Sequence, residues 1–199
     1  MSSSSVSCEK NTLEAFLKKE VEDFALQNRA ARIVARGLSL IGVGFRPVFD
    51  HIVFRTADIR KRAQEFLPFG YVKDASTRIL LTKSPHVEVY RKEGYPAVMI
   101  EQAHHLPAVE WLNTFGEMMP YYLALQVDHL EDAAFSLEKQ GIAFLRPESG
   151  GKGDHLRQIA AVPEMKGNQT ATTIVLVERH AGDTRFYAPD FWIHPQGKI

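Results

Sequence analysis

A single cysteine, Cys8, leaves this 199-residue chain without a disulfide of its own and excludes Cys-rich zinc sites and CxxC redox chemistry. Any metal must then be held by carboxylates and by the eight histidines. An excess of one charge is missing too, since 24 Lys and Arg balance 24 Asp and Glu along the whole sequence. The basic stripe that nucleic-acid binding needs is therefore absent. No apolar run approaches the ~20 residues of a membrane span, and the polar, serine-rich start lacks the basic and apolar regions of a secretory signal. These absences predict a cytoplasmic protein, with neither nucleic acid nor membrane as partner, that buries its core without staples.

Residues 1–10 read as a disordered leader. Asn11 or Thr12 then stands where a helix cap is wanted, ahead of Leu13, Phe16, Leu17, Val21, Phe24 and Ala25 at helical spacing. A second helix is predicted from Arg29 to Leu40, closed by Gly42 and Gly44. Together these make an N-terminal helical region, 11–46. From Pro47 the pattern turns to strand, because Val48 to Arg55 is rich in β-branched and aromatic residues. A helix over Ala57–Phe66 follows, then strands at Arg78–Thr82, Val87–Arg91 and Ala97–Gln102, punctuated by Ser84-Pro85 and Gly94-Tyr95-Pro96.

That βαβββ order recurs. A linker helix over 104–117 leads to a strand at Tyr122–Val127, a helix at Leu130–Gln140 closed by Gly141, and strands near Ala143, at His155–Ala160 and at Thr172–Arg179. The text itself repeats: HIVFRTADI matches YLALQVDHL at an offset of 122 − 51 = 71, and AVMIEQA matches IVLVERH at 178 − 101 = 77. The six extra residues fit the glycine-rich Gly150-Gly151-Lys152-Gly153 loop, which lacks the context and the Ser/Thr of a P-loop. The expected architecture is α+β: two βαβββ modules, 47–103 and 118–182, preceded by N-terminal helices and followed by an aromatic tail, 183–199. Each half-sheet leaves an apolar face open, and pairing the two makes one barrel with a shared cavity.

Alternation along strands puts Phe49, His51, Val53 and Arg55 on one face, Tyr122, Ala124 and Gln126 on one face, and Ile174, Leu176 and Glu178 on one face. If those faces point inward, His51, Tyr122 and Glu178 converge. Glu178 and Glu101 each interrupt an apolar run, and a carboxylate there asks for a cation or a metal. A plainer reading pairs each with a neighbouring arginine, Arg179 or Arg55.

The segment Asp50-His51-Ile52-Val53-Phe54-Arg55-Thr56 resembles the opening DHIAxRT motif of the 2-oxoadipate dioxygenase/decarboxylase (hydroxyglutarate synthase) family. The likeness continues through Tyr95 to Glu101, Glu110 to Gly116, Lys152-Gly153 with Leu156-Arg157-Gln158, and Val177-Glu178-Arg179, in scattered motifs between about residues 20 and 180. That family is similar in fold to the C-terminal half of 4-hydroxyphenylpyruvate dioxygenase, a vicinal-oxygen-chelate barrel in which two His and one Glu hold Fe(II). The resemblance implies His51 and Glu178 as ligands, Arg55 as the holder of a substrate carboxylate, and a catalytic place for Gln158. Where the family has its second His, this chain has Tyr122, and a neutral phenol is a poor ligand for Fe(II). Glyoxalase I and its relatives draw ligands from the first and fourth strands of both halves, which adds Glu101 to His51, Tyr122 and Glu178.

Three readings follow from the sequence. The first is a metalloenzyme of the dioxygenase/decarboxylase or glyoxalase-like lyase kind acting on a small 2-oxo acid or dicarboxylate, with Fe(II) before Mn(II), Ni(II) or Zn(II). The second is a non-catalytic binder of an acidic ligand on the same barrel. The third is an assembly module with a vestigial pocket. The aromatic tail closes the barrel as a lid or packs on a partner subunit of a homodimer, with structural packing the expected role.

Overall fold

The computed structural model describes residues 3–42, 48–80, 86–117 and 119–189, with side chains from Leu13 onward. Helix α1 (Ser3–Gln27) begins well before the expected cap, so the segment read as a disordered leader is helical from Ser3 and Asn11 and Thr12 lie inside the helix. The physical reason is cooperativity: once the packed turns around Leu13 and Phe24 exist, each further residue adds a hydrogen bond without a new nucleation cost. At the junction with α2 (Arg29–Leu40), the Asn28 side chain accepts from Ala31 N at 2.9 Å and donates to Thr172 O at 3.2 Å. One residue thus caps a helix and ties it to the far half of the molecule.

The first module runs β1 (Phe49–Thr56), α3 (Ile59–Ala63), β2 (Val72–Lys73), β3 (Ile79–Leu80), β4 (Val87–Arg91) and β5 (Ala97–Gln102). Asp58 caps α3 by accepting from Arg60 N and Lys61 N, and the helix is shorter than predicted because Pro68 sits in the 3-10 turn that follows at Leu67–Phe69. After α4 (Leu106–Phe115) come β6 (Pro120–Gln126), α5 (Leu130–Glu138), β7 (Leu156–Ala160), the small hairpin β8 (Met165–Lys166) and β9 (Gln169–Thr170), β10 (Thr173–Arg179) and β11 (Phe186–Tyr187). In this second copy, the strand expected near Ala143 is reduced to two bridges, Phe144 with Ala161 and Ser149 with Gln158.

Seven strands form one mixed sheet in the order β2-β4-β5-β1-β6-β10-β7. Within each module the first and last strands pair in parallel, β1 with β5 and β6 with β10, and the modules join where β1 meets β6 antiparallel. The strand predicted at Arg78–Thr82 does not join this sheet. Its described part, β3, pairs with β11 of the tail, and Val72–Lys73 takes the sheet edge instead.

Alternation sorts the core into two layers. Ile52, Phe54, Val98, Ile100, Leu123, Leu125, Ile174 and Leu176 face α1, α2, α3 and α5, with Phe24 and Phe66 fully buried between them. Burial of each such side chain contributes about 1.5–3 kcal/mol. Val53, Met99, Tyr122, Ala124, Val175 and Val177 face the other way, into a concave layer closed by Trp111 and Phe115 of α4 and by Phe186 and Tyr187 of the tail. This places the tail on the barrel, where its described residues pack.

Candidate ligand site

The concave face carries the polar side chains that matter. His51 and Arg55 of β1, Glu101 of β5, Tyr122 of β6, and Gln158 of β7 all alternate onto it and all are buried. His51 and Tyr122, equivalent positions 71 residues apart in the repeat, meet across the module junction with His51 Nε2 and Tyr122 Oη 3.0 Å apart.

A register shift between Phe49 and His51 brings Asp50 beside the imidazole. Asp50 Oδ1 lies 2.5 Å from His51 Nδ1, and its carboxylate also accepts from Arg179 Nε at 2.5 Å and Nη2 at 2.9 Å. Burial pushes the Asp50 carboxyl up, but the Arg179 and His51 hydrogen bonds outweigh it and hold the group below the usual carboxylate range. Burial lowers His51 despite Asp50, which favours the neutral ring with its proton on Nδ1 and Nε2 accepting from the Tyr122 hydroxyl. The result is a continuous chain, Arg179, Asp50, His51, Tyr122.

At the other end of the barrel, Arg55 Nε donates to Glu101 Oε2 at 2.8 Å, with His105 3.5 Å from the other carboxylate oxygen. The guanidinium also lies 3.4 Å from the centroid of the Tyr121 ring. Burial alone would raise Glu101, and the Arg55 charge reverses the sign, holding it ionised. Arg55 is thus committed to a protein carboxylate.

Glu178 is not part of this constellation. Ala97 stands opposite His51 and Thr173 opposite Tyr122, so the last strands of the two modules correspond at 173 − 97 = 76 residues and not at 77. A one-residue slip turns a strand over. Val177 therefore occupies the inward position equivalent to Glu101, while Glu178 points to the helical layer. There its Oε2 accepts from Leu130 N at 2.7 Å, capping α5 where His129 offers no side-chain cap, and faces Arg157 Nη1 at 3.4 Å, with His180 Nε2 2.7 Å from Oε1. Burial raises this carboxyl and these partners bring it below its ordinary value.

The donor set does not fit a His, His, Glu iron centre. Among the four inward positions one is Val177, Tyr122 and His51 are bonded to each other, and Glu101 is neutralised by Arg55. Among the described residues no group of three or more His, Cys, Asp and Glu converges for a metal.

Gln158 does face inward, and its Nε2 is buried without a hydrogen-bond partner among the described residues. On the two strands beside His51 the facing inward positions are small, Ala97 and Ala124. Phe186 fills the space they leave, its ring centroid 4.8 Å from that of His51. Sequence reasoning missed Asp50 and the use of Arg179; an acidic residue directly before the strand histidine was the available signal. A cavity of about 740 Å³ lies on the opposite, helical face, lined by Leu17, Val21, Ala25, Phe49, Ile52 and Pro96. It touches none of the polar residues above, and residues 43–47 lie outside the described residues.

No helix among the described residues is long and apolar enough to cross a membrane. No family model matches the chain, and no curated protein does. Solved structures do. A protein assigned to the glyoxalase superfamily from Ralstonia eutropha JMP134 superposes with a TM-score of 0.61 at 10% identity over 81% of each chain. Methylmalonyl-CoA epimerase from Mycobacterium tuberculosis gives 0.49 at 16% identity, over 67% of this chain and 88% of that one. Glyoxalase I from Zea mays gives 0.45 at 15% identity, over 67% and 43%. The likeness to the Ralstonia protein shows the fold: this chain has the glyoxalase, or vicinal-oxygen-chelate, architecture with helices added at its N-terminus.

Proposed function

We propose that this protein is a metal-independent binder of a small carboxylic acid, built on the glyoxalase fold. One observation carries the reading: the inward side chains at the positions expected to ligate metal are each other's partners, with His51 held by Asp50 and Tyr122 and Glu101 held by Arg55. A metal would have to displace a buried ion pair and a buried hydrogen-bond chain, and the neutral phenol of Tyr122 is a poor ligand in return. Arg91 and Arg179, whose guanidinium groups flank the Phe186 ring, supply the cationic character that suits an acid. The test is metal content by mass spectrometry after loading with Fe(II), Mn(II), Ni(II) or Zn(II), alongside thermal stabilisation by 2-oxo acids and dicarboxylates with and without a chelator. The expected result is no stoichiometric metal and a chelator-resistant rise in Tm. Near-stoichiometric metal that disappears in His51→Ala would sink the reading and restore the metalloenzyme.

A second reading rests on the Asp50, His51, Tyr122 chain, which has the order of a carboxylate that orients an imidazole that in turn accepts a hydroxyl proton. On that reading the bound acid exchanges a proton with Tyr122. Loss of deuterium exchange from a bound acid in Tyr122→Phe, with binding kept, would favour it over binding alone.

A further inference from the structure

The tail segment 183–188 touches the barrel in a way that copies a ligand. Phe186 is only 2% exposed, and its ring lies against three groups: His51, edge-on, and the guanidinium carbons of Arg179 and Arg91, 4.7 and 4.9 Å from the ring centroid. Just before the ring, three backbone carbonyls accept from the same two arginines. Arg179 Nη1 donates to Asp183 O at 3.2 Å and to Arg185 O at 2.6 Å, and Arg91 Nη2 donates to Thr184 O at 2.7 Å. The chain thus presents a flat ring and, a few bonds away, a cluster of anionic-edged oxygens to two guanidinium groups. These are the two features of an arylalkanoate, a planar ring carrying a carboxylate on a short spacer.

Besides these contacts, the segment is held by burial of Phe186, Tyr187 and Ala188 and, among the described residues, by the two-residue pairing of Phe186–Tyr187 with Ile79–Leu80, away from the main sheet. If it swings away, Arg179 keeps both bonds to Asp50 and Arg91 keeps Asp74 and, through Nη2, the longer contact to Thr77 Oγ1, so neither arginine loses its place; what is released is Arg179 Nη1, the shorter bond of Arg91 Nη2 and the space beside His51. Tyr187 Oη donates to Leu156 O at 3.4 Å, two residues from Gln158, whose buried Nε2 has no partner among the described residues, so the same wall offers a further donor.

Resting on the carboxylic-acid reading above, we infer that the space filled by Phe186 is the ring subsite of the ligand, that the ligand is an arylalkanoate, and that residues 183–188 compete with it from within the chain. The ring sits beside His51, and the carboxylate takes the guanidinium N–H groups now spent on Thr184 O and Arg185 O. An intramolecular competitor lowers apparent affinity by the fraction of time it is out, so weakening it tightens binding.

The full-length protein and its Phe186→Ala variant are titrated with 3-phenylpropionate, toluene and glutarate by calorimetry, with Phe186→Leu as a milder variant if the alanine form does not fold. The expected result is that 3-phenylpropionate binds the variant at least about tenfold more tightly than wild type, ahead of both other probes. In wild type, the same acid speeds tryptic cleavage after Arg185, whose carbonyl is shielded by Arg179 while the tail is seated. Toluene binding the variant as well as the acid does would reduce the site to an empty apolar hole and overturn the inference. Glutarate equalling 3-phenylpropionate in both proteins overturns the ring subsite while leaving the carboxylic-acid reading standing. Binding of no carboxylate by either protein removes both.

Discussion

The two modules share a backbone plan and differ in what they turn inward. The first contributes His51, Arg55 and Glu101, three ionisable groups, and draws in Asp50 through its irregular register. At the equivalent positions the second offers Tyr122, the exposed Gln126, and Val177, and beside them it turns in Ala124, Val175, Ala160 and the uncharged Gln158. A site that must take donors from both halves cannot be completed when one half is nearly apolar, so the charges of the first half turn to one another and to Arg179. What the comparison teaches is that duplication preserved the frame while the chemistry became one-sided.

The comparison breaks first at Glu101. Glu101→Ala strips the buried Arg55 of its Glu101 partner and is expected to cost about 3–5 kcal/mol in urea denaturation, whereas the paired replacement Arg55→Met with Glu101→Leu recovers most of the loss. Equal stability of the single and double variants would show that the pair is not an isolated unit. Glu178 sharpens the contrast from the second module. Glu178→Ala uncaps α5 and strips Arg157 of one partner, for a loss of about 2 kcal/mol, with carboxylic-acid binding unchanged because the side chain faces the helices. Loss of ligand binding in that variant would return Glu178 to the site.

The smallest effect concerns a carboxylate with no hydrogen bond among the described residues. Glu20 of α1 is buried facing the Arg62 charge, and burial pushes its carboxyl from 4.5 up to about 6. A raised folded-state value means that its stabilisation is fully present below pH 4.5 and is lost as pH climbs through 6. Glu20→Gln should therefore be more stable than wild type at pH 7 by about 1 kcal/mol and lose that advantage at pH 4.5. A pH-independent difference between the two would place the effect in packing.

Much of the fold was legible because the repeat is written in the text. HIVFRTADI and YLALQVDHL share an alternation that fixes which side chains face in, and His51 and Tyr122 do meet. The site was less legible for a specific physical reason. Ala97 to Glu101 and Thr173 to Glu178 are buried on both faces, so their apolar runs carry no alternation to set register, and the visible glutamates drew the alignment to 77. At 76 the inward residue is Val177. Asp50 was hidden for a different reason, since a strand irregularity that re-aims one side chain leaves no mark on hydrophobic periodicity. Ionic pairing of Arg55 with Glu101, the plainer of the two readings of Glu101, is what the barrel contains.

The pairing of β11 with β3 joins residue 186 to residue 79, a separation of 186 − 79 = 107 positions that spans both modules. Closing so long a loop gains only two residues of ladder, and the entropy is recovered only when the barrel is already there to receive Phe186. The contact therefore belongs to the last step of folding and the first of unfolding. Burial of Phe186 then serves as a clock hand: stopped-flow signals from the sheet should plateau before the tail becomes resistant to trypsin, and the interval between them measures how long the barrel stands open after synthesis.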